Sequence, residues 1–465
     1  MCNMRNMEKT IFCALAALLV LFSASCDKFL DTKPDQKLAV PQSLEDLQAL
    51  LDDYTNRTME SAAGEISSGE YTVSDANLAS LSSSSAFDRR MYQWDGDNLF
   101  EQGSSLGDWG RYYTTIYTCN TVLENLENIE RGISNAAQYD QIRGRAFFWR
   151  AQKLFQASLI WCSAYDQRTA AKQLGLPIRL GTDFNEVSVR SDMQQTYRQI
   201  LEDAESCIRL LPEQVSHPVQ PGRCAGYMLL SRIHLYMGNY ERSFLYADSA
   251  LSIKNDLMDY SALNSSPTYP IARYNQEVIY QSAIGAPQIL SISRANIVEE
   301  ITGSYADGDL RKVLYFVRNT DGTYGFRGNY IGSAGLFMGY ATDELYLLRA
   351  ESAARTDRLS VALQDINALL STRWKKVNGI STYQPIEEID ADALLAFILS
   401  ERRKSLLFRG LRWYDLKRLN RDGANITLRR TIAGQEYALA ANDLRYALPI
   451  PEDVIRISDM EQNPR

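Results

Sequence analysis

The chain holds only two histidines in 465 residues, His217 and His234. His217 stands before Pro218 in a turn-like stretch, and His234 lies between Ile233 and Leu235 in a helical pattern. Neither falls in an HExxH or any other ligand spacing, which argues against a His-based metal site or a Ser–His nucleophile. Gly325, Gly328, Gly332 and Gly335 are scattered through a turn-rich stretch with no Lys-Ser/Thr behind them, so no phosphate loop is present. Any Asp/Glu pair roughly 5 to 9 Å apart could still serve a glycosidase, and the sequence leaves that open. Asp307 and Asp309, in Tyr305-Ala306-Asp307-Gly308-Asp309, resemble half a calcium loop but lack the regular spacing and terminal Glu. They are read as a turn. No metal and no cofactor is expected.

The basic residues Arg402, Arg403, Lys404, Arg409, Arg412, Lys417 and Arg418 are interleaved with Leu406, Leu407, Phe408, Trp413 and Leu416. That pattern predicts a packed amphipathic helix with charge pairs on its flanks rather than an anion site. With 49 basic against 57 acidic residues the chain carries a formal charge of −8, which disfavours nucleic acid as a partner. Cys119, Cys162, Cys207 and Cys224 show no CxxC spacing and have apolar neighbours, so they read as buried free thiols.

Cys26 is a different case. Arg5 and Lys9 precede the apolar run Ile11 to Phe22, which is shorter than the roughly 20 residues a membrane-spanning helix needs. Ser23-Ala24-Ser25 then lead into Cys26. The layout predicts a lipoprotein signal peptide over 1–25, cut before Cys26, which then carries the lipid. Ser23 stands where such signals usually carry Leu. No later stretch is long and apolar enough to span a membrane.

The elements that must position any chemistry are mostly helical. An extended linker over 26–42 leads to a short helix at Ser43–Tyr54, followed by Ser-, Gly- and Asn-rich loops over 61–105. Three-and-four spacing then marks helices through Trp109, Tyr112, Ile116, Cys119, Leu123 and Leu126, through Phe147 to Trp161, and through Tyr197 to Leu211. Trp109 and Trp161 fall on the apolar faces. Two further helices run from Arg223 to Met237 and from Tyr240 to Ile253, joined at Gly238-Asn239. That join, with Ala247, Ala250 and Leu251 behind it, looks like a tetratricopeptide repeat, which must stack with others to bury its apolar face. From 258 to 340 the period changes to short β-type runs such as Glu277–Ala283, with a hairpin turn at Asp321-Gly322. Helices resume at Thr342–Thr356, Leu359–Trp374 and Ala391–Leu419, and 437–465 reads as a loop-like tail. The fold class is mainly α: a tetratricopeptide-like superhelix (43–257 and 341–465) interrupted by an irregular, loop-rich lobe with short β-strands.

Several separated motifs resemble one family. Glu401-Arg402-Arg403-Lys404 through Phe408, then Gly410-Leu411-Arg412-Trp413-Tyr414-Asp415-Leu416-Lys417-Arg418, is similar to the signature helix of the SusD/RagB family. Arg349-Ala350-Glu351-Ser352-Ala353-Ala354-Arg355, Asn367-Ala368-Leu369, Leu448-Pro449-Ile450-Pro451, Gln462-Asn463-Pro464 and the opening Cys26 to Asp31 extend the resemblance. Ser405 and Arg409 stand where relatives commonly carry Glu, which predicts the loss of a structural ion pair. The resemblance implies a non-catalytic surface lipoprotein of the Bacteroidetes outer membrane. It implies a lid on a SusC-like TonB-dependent transporter, which captures an oligosaccharide or, in the RagB branch, an oligopeptide. A surface glycoside hydrolase and a protein-binding scaffold remain the alternatives.

Sugar binding needs flat aromatic faces and hydrogen-bonding side chains together. Two loop regions offer both: 71–97, with Tyr71, Asn77, Arg89 and Trp94, and 262–335, with Tyr269, Tyr305, Tyr324, Arg327, Asn329 and Tyr330. These ten are the candidate ligand residues, although Trp94 fits a local core position as well.

Overall fold

The computed structural model describes residues 41–82, 85–96, 99, 107–387 and 390–465. The expected signal peptide, Cys26 and nearly all of the 26–42 linker lie outside them.

Among the described residues the first helix, α1 (Leu44–Leu51), begins with a capping box. Ser43 Oγ accepts the Asp46 N–H while the Asp46 carboxylate accepts the Ser43 N–H, and Leu44, Leu47 and Leu51 are buried. The frame continues with α2 (Gly107–Leu126), α3 (Ala136–Trp161), α4 (Met193–Leu210), α5 (Arg223–Met237) and α6 (Tyr240–Ile253). Asp192 and Gln195 box the start of α4 as Ser43 and Asp46 do α1. Gly238, at φ +79°, makes the left-handed turn that closes α5, and Asn239 caps α6. Ser231, Ser243, Ala247 and Ala250 are fully buried, and the small residues let α5 and α6 approach closely.

From α2 to α6 each helix packs on the one before it, and α6 packs on α7 (Thr342–Ala354) although residues 254–341 intervene. The loop-rich segment is therefore an insertion within a continuous helical stack, as its change of period predicts. α7 in turn packs on both α8 (Leu359–Ser371) and α9 (Ala391–Ser405), with α10 (Arg412–Arg421) beyond. Trp109 and Trp161 meet edge to face, 5.0 Å apart, in the core, and all four described cysteines are buried free thiols. Among the described residues no helix is long and apolar enough to cross a membrane.

Three expectations need correction. The 61–105 region holds helical turns at Ala63–Ser67, Asp75–Ala79 and Ala86–Tyr92, too short to show a period in sequence. The predicted helix Ala391–Leu419 is two helices, α9 and α10, separated by a turn in which Phe408 (φ +57°) and Gly410 (φ +70°) are left-handed. The tail begins inside strand Gln435–Leu439, which pairs with Leu428–Ile432, and contains a helix at Glu452–Ser458.

The basic cluster forms charge pairs as expected, but they lie in the interior and not on the flanks of one helix. Asp415 accepts from Arg402 Nε (2.9 Å) and Arg418 Nε (2.7 Å), and Arg418 also forks onto Glu351 (2.6 and 2.9 Å). Burial alone would raise the Asp415 carboxyl, but Arg402 and Arg418 outweigh it and hold it at about 2. Ser405 and Arg409 do not cost an ion pair here. Arg409 pairs with buried Asp343 at 2.9 Å, and Ser405 Oγ accepts from Arg311 Nη1 at 2.7 Å. Arg311 also pairs with Asp309 at 2.6 Å, while exposed Asp307 pairs with Lys312, so the Asp307–Asp309 stretch is a turn.

Candidate functional site

The two loop regions that offer aromatics and polar side chains meet in one four-stranded sheet. Strand β1 (Tyr71–Thr72) pairs antiparallel with β2 (Asn296–Ile297), which pairs with β4 (Tyr324–Phe326), which pairs with β3 (Phe316–Arg318). The register sets Tyr71 opposite Ile297, and Phe316 opposite Phe326, so alternate residues share a face. One face rests on the turn between α9 and α10. The Phe408 ring stacks on Phe326 at 5.1 Å and meets Tyr71 edge to face at 5.8 Å. The left-handed backbone at Phe408 aims this ring into the lobe, so the C-terminal helices fix the sheet's position.

Burial sorts the ten candidates. Tyr71 is 1 % exposed and its hydroxyl donates to the Ile66 carbonyl. Trp94 is also buried, its Nε1–H donating to Ser67 O and its ring 4.4 Å from the Arg430 guanidinium. Tyr305 is buried and donates to Lys404 O. Asn329 is itself buried, and it donates to Ser333 O and accepts the Ile331 N–H, closing its own turn. Tyr330 is fully buried, donating to Glu277 at 2.5 Å, with Asp343 at 3.1 Å. These five are interior residues whose polar atoms are already used, so reading them as ligand contacts is corrected. Arg89 clamps the Leu78 and Leu81 carbonyls, and Arg327 bridges Pro267 O and Val313 O. Both are loop clips with half-exposed stems. Asn77 is half-buried in the turn capped by Ser74.

Tyr269 and Tyr324 keep accessible ring surface, Tyr324 at 36 %. Tyr324 sits opposite exposed Arg318 at the open end of the sheet, its ring 6.3 Å from Phe316. Beside it, Thr323 Oγ donates to Asp321, and Asn319 Nδ2 donates to Asn296 Oδ1. Arg327 joins the Tyr269 loop, through Pro267 O, to the other end of the β3–β4 hairpin, beyond the Phe316–Phe326 pair. The rim therefore presents a partly exposed aromatic ring with Arg318, Asp321, Thr323 and Asn319 around it. That set can contact the C–H face of a sugar and exchange hydrogen bonds with its hydroxyls. Among the described residues no group of three or more His, Cys, Asp or Glu could hold a metal ion.

Sequence reasoning missed the buried hub that holds the lobe. Glu277 accepts from Arg373 Nη2 (2.7 Å) and Tyr330 OH, while Asp343 accepts from Arg409 Nη2 and Tyr330 OH. Burial raises the Glu277 carboxyl, with Arg373 opposing. Glu277 lies within the insert and Asp343 in the helix that follows it, and nothing in spacing alone pairs them.

Residues 28–235 match a SusD-like family model described as starch-binding and associating with the outer membrane, and residues 315–465 match the SusD family model. The chain belongs to the SusD/RagB family. A SusD superfamily protein of Bacteroides thetaiotaomicron superposes at TM-score 0.74 and 19% identity, covering 91% of this chain and 100% of its own. A SusD superfamily protein of Bacteroides vulgatus gives TM-score 0.72 at 20% identity, covering 91% and 99%. A SusD-like carbohydrate binding protein of the same species gives 0.67 at 18%, covering 90% and 96%. At these identities the likeness is one of fold. A SusD-like protein of Formosa agariphila is 35% identical over 79 residues, a match spanning 17% of this chain and 16% of the relative. The helical stack with an inserted lobe is thus the SusD-like fold, and the signature residues Glu401 to Arg418 form its α9–turn–α10 unit.

Proposed function

We propose that this SusD/RagB protein is a non-catalytic, outer-membrane lipoprotein that holds a glycan oligomer at the lobe rim and passes it to a SusC-like TonB-dependent transporter. The observation that carries the reading is the convergence of both aromatic loop regions into one sheet. That sheet is anchored by Phe408 and ends in the exposed Tyr324 ring beside Arg318 and Asp321. The family model's description supports both the ligand class and the membrane. The lipid on Cys26 would tether the body at the surface, with the residues after it as a leash.

Titration of the exported protein with neutral oligosaccharides and oligopeptides tests this. A neutral oligosaccharide should bind, and Tyr324→Ala should weaken it on the order of tenfold, ~1.4 kcal/mol, with no product released. Binding of peptides alone, product formation, or full affinity in the Tyr324→Ala chain each defeats part of the proposal. Metabolic lipid labelling that persists in a Cys26→Ala chain would defeat the anchor.

A further inference from the structure

Tyr274 is a bulky residue held in the left-handed region, at φ +56°, on a surface turn. Such a conformation costs on the order of 1–3 kcal/mol outside glycine and persists only where its surroundings enforce it. The enforcement is visible. Asn275 donates to Ala272 O and accepts the Glu277 N–H, and its carbonyl accepts the Val278 N–H. Gly332 approaches so closely that a Cβ there would lie 3.2 Å from the Arg273 nitrogen. The product of this strain is an aromatic ring left 38 % exposed.

The ring has two partners that can donate hydrogen bonds. The Arg273 guanidinium lies 4.6 Å from its centroid, and the His217 ring meets it at 4.5 Å with planes 77° apart. His217 Nδ1 accepts the Val219 N–H, which places the proton of the neutral imidazole on Nε2 as an outward donor. Arg273 and His217 are both exposed and have no carboxylate partner among the described residues. His217 adjoins Pro218, which with Val278 lines a cleft of about 290 Å³. The acids that line that cleft each have a basic partner, Glu213 with Arg223 and Asp256 with Lys254. The balance left over is therefore a donor-only pair beside an exposed ring.

We propose that Arg273, Tyr274 and His217 form a second ligand site, separate from the Tyr324 rim, for an acidic sugar bearing a carboxylate or sulfate ester. The C–H surface of the sugar packs on the exposed part of the Tyr274 ring. Its acid group accepts from the Arg273 guanidinium and from His217 Nε2–H, in the charge-assisted geometry that arginine favours. The protein's overall negative charge gives no general attraction for anions, so binding must come from these residues.

The test titrates the full exported chain with oligogalacturonate, a sulfated oligosaccharide and a neutral malto-oligosaccharide. At least one acidic probe should bind saturably, the two together distinguishing carboxylate from sulfate. Arg273→Gln and Tyr274→Asn should each weaken it tenfold or more, while Tyr324→Ala leaves it unchanged. Asn tolerates the left-handed backbone, so Tyr274→Asn should melt no lower than the parent while losing the ligand. A merely structural tyrosine would do the reverse. No binding of either acidic probe, full affinity in the Arg273→Gln chain, or loss of acidic binding in Tyr324→Ala overturns the proposal. The neutral probe reports on the rim independently, so failure of one site is distinguishable from failure of the other.

Discussion

Glu65 shows how one interior carboxyl sets a pH dependence. It is 1 % exposed, accepts the Gly410 N–H and a hydrogen bond from Ser68, and lies near Glu70. Burial, reinforced by the Glu70 charge, pushes its carboxyl up from 4.5 to about 8. Between those values the folded chain keeps a proton that the unfolded chain has released. Its contribution is therefore full below 4.5 and is lost as pH rises through about 8. Glutamine can accept from Gly410 and donate to Ser68 without ionising. Glu65→Gln should gain stability relative to the parent between pH 5 and 8, on the order of a few kcal/mol. Thermal melts across that range check it, and an unchanged difference would refute the assignment. At this scale the sequence is a poor guide. Tyr324 and Tyr330 stand six positions apart in the same Gly-rich stretch, yet one is 36 % exposed and the other fully buried. What separates them is Glu277 and Asp343, distant carboxylates that take the Tyr330 hydroxyl inward, and local composition does not reveal that pairing.

Helices with a long apolar period are legible in the sequence: the join of α5 and α6 is readable because Gly238 and Asn239 punctuate it. The α9–α10 break is not, because Leu406, Leu407, Leu411 and Trp413 continue an apolar pattern across it. The break is imposed by tertiary packing, in which Phe408 must turn into the lobe and Gly410 must pass Met338. A Cβ on Gly410 would lie 2.7 Å from Met338 Sδ, and the backbone there is at φ +70°. Gly410→Ala should cost roughly 1–3 kcal/mol from overpacking and backbone strain together. Adding Met338→Ala removes the clash but opens a cavity, so the Gly410→Ala penalty measured in that background should shrink to the backbone part, about 1 kcal/mol. Urea titration of the four chains separates the two causes, and equal penalties in both backgrounds would exclude the steric one.

On the scale of the molecule, the interrupted stack raises the question of whether lobe and frame unfold together. The frame closes on itself without the lobe, since α6 packs directly on α7. The lobe nevertheless sends Glu277 and Tyr330 into the interior, where Arg373 at the end of α8, Asp343 at the start of α7 and Arg409 in the α9–α10 turn receive them. The Arg409 guanidinium also lies 4.2 Å from the Tyr330 ring, so one tyrosine touches charge from two frame segments, and Arg373 of a third reaches it through Glu277. A buried network with every member partnered couples the elements it joins, and removing the Tyr330 hydroxyl leaves the two carboxylates it lies between one hydrogen bond short. Tyr330→Phe keeps the ring and deletes only the hydroxyl that Glu277 and Asp343 share. It should cost roughly 1–3 kcal/mol, the desolvation penalty of the groups left unsatisfied. If lobe and frame are one cooperative unit, hydrogen exchange should accelerate by the same free energy at core amides of α5 and at β4. Faster exchange confined to the lobe strands, with α5 unchanged, would show instead that the insert opens on its own above an intact helical stack.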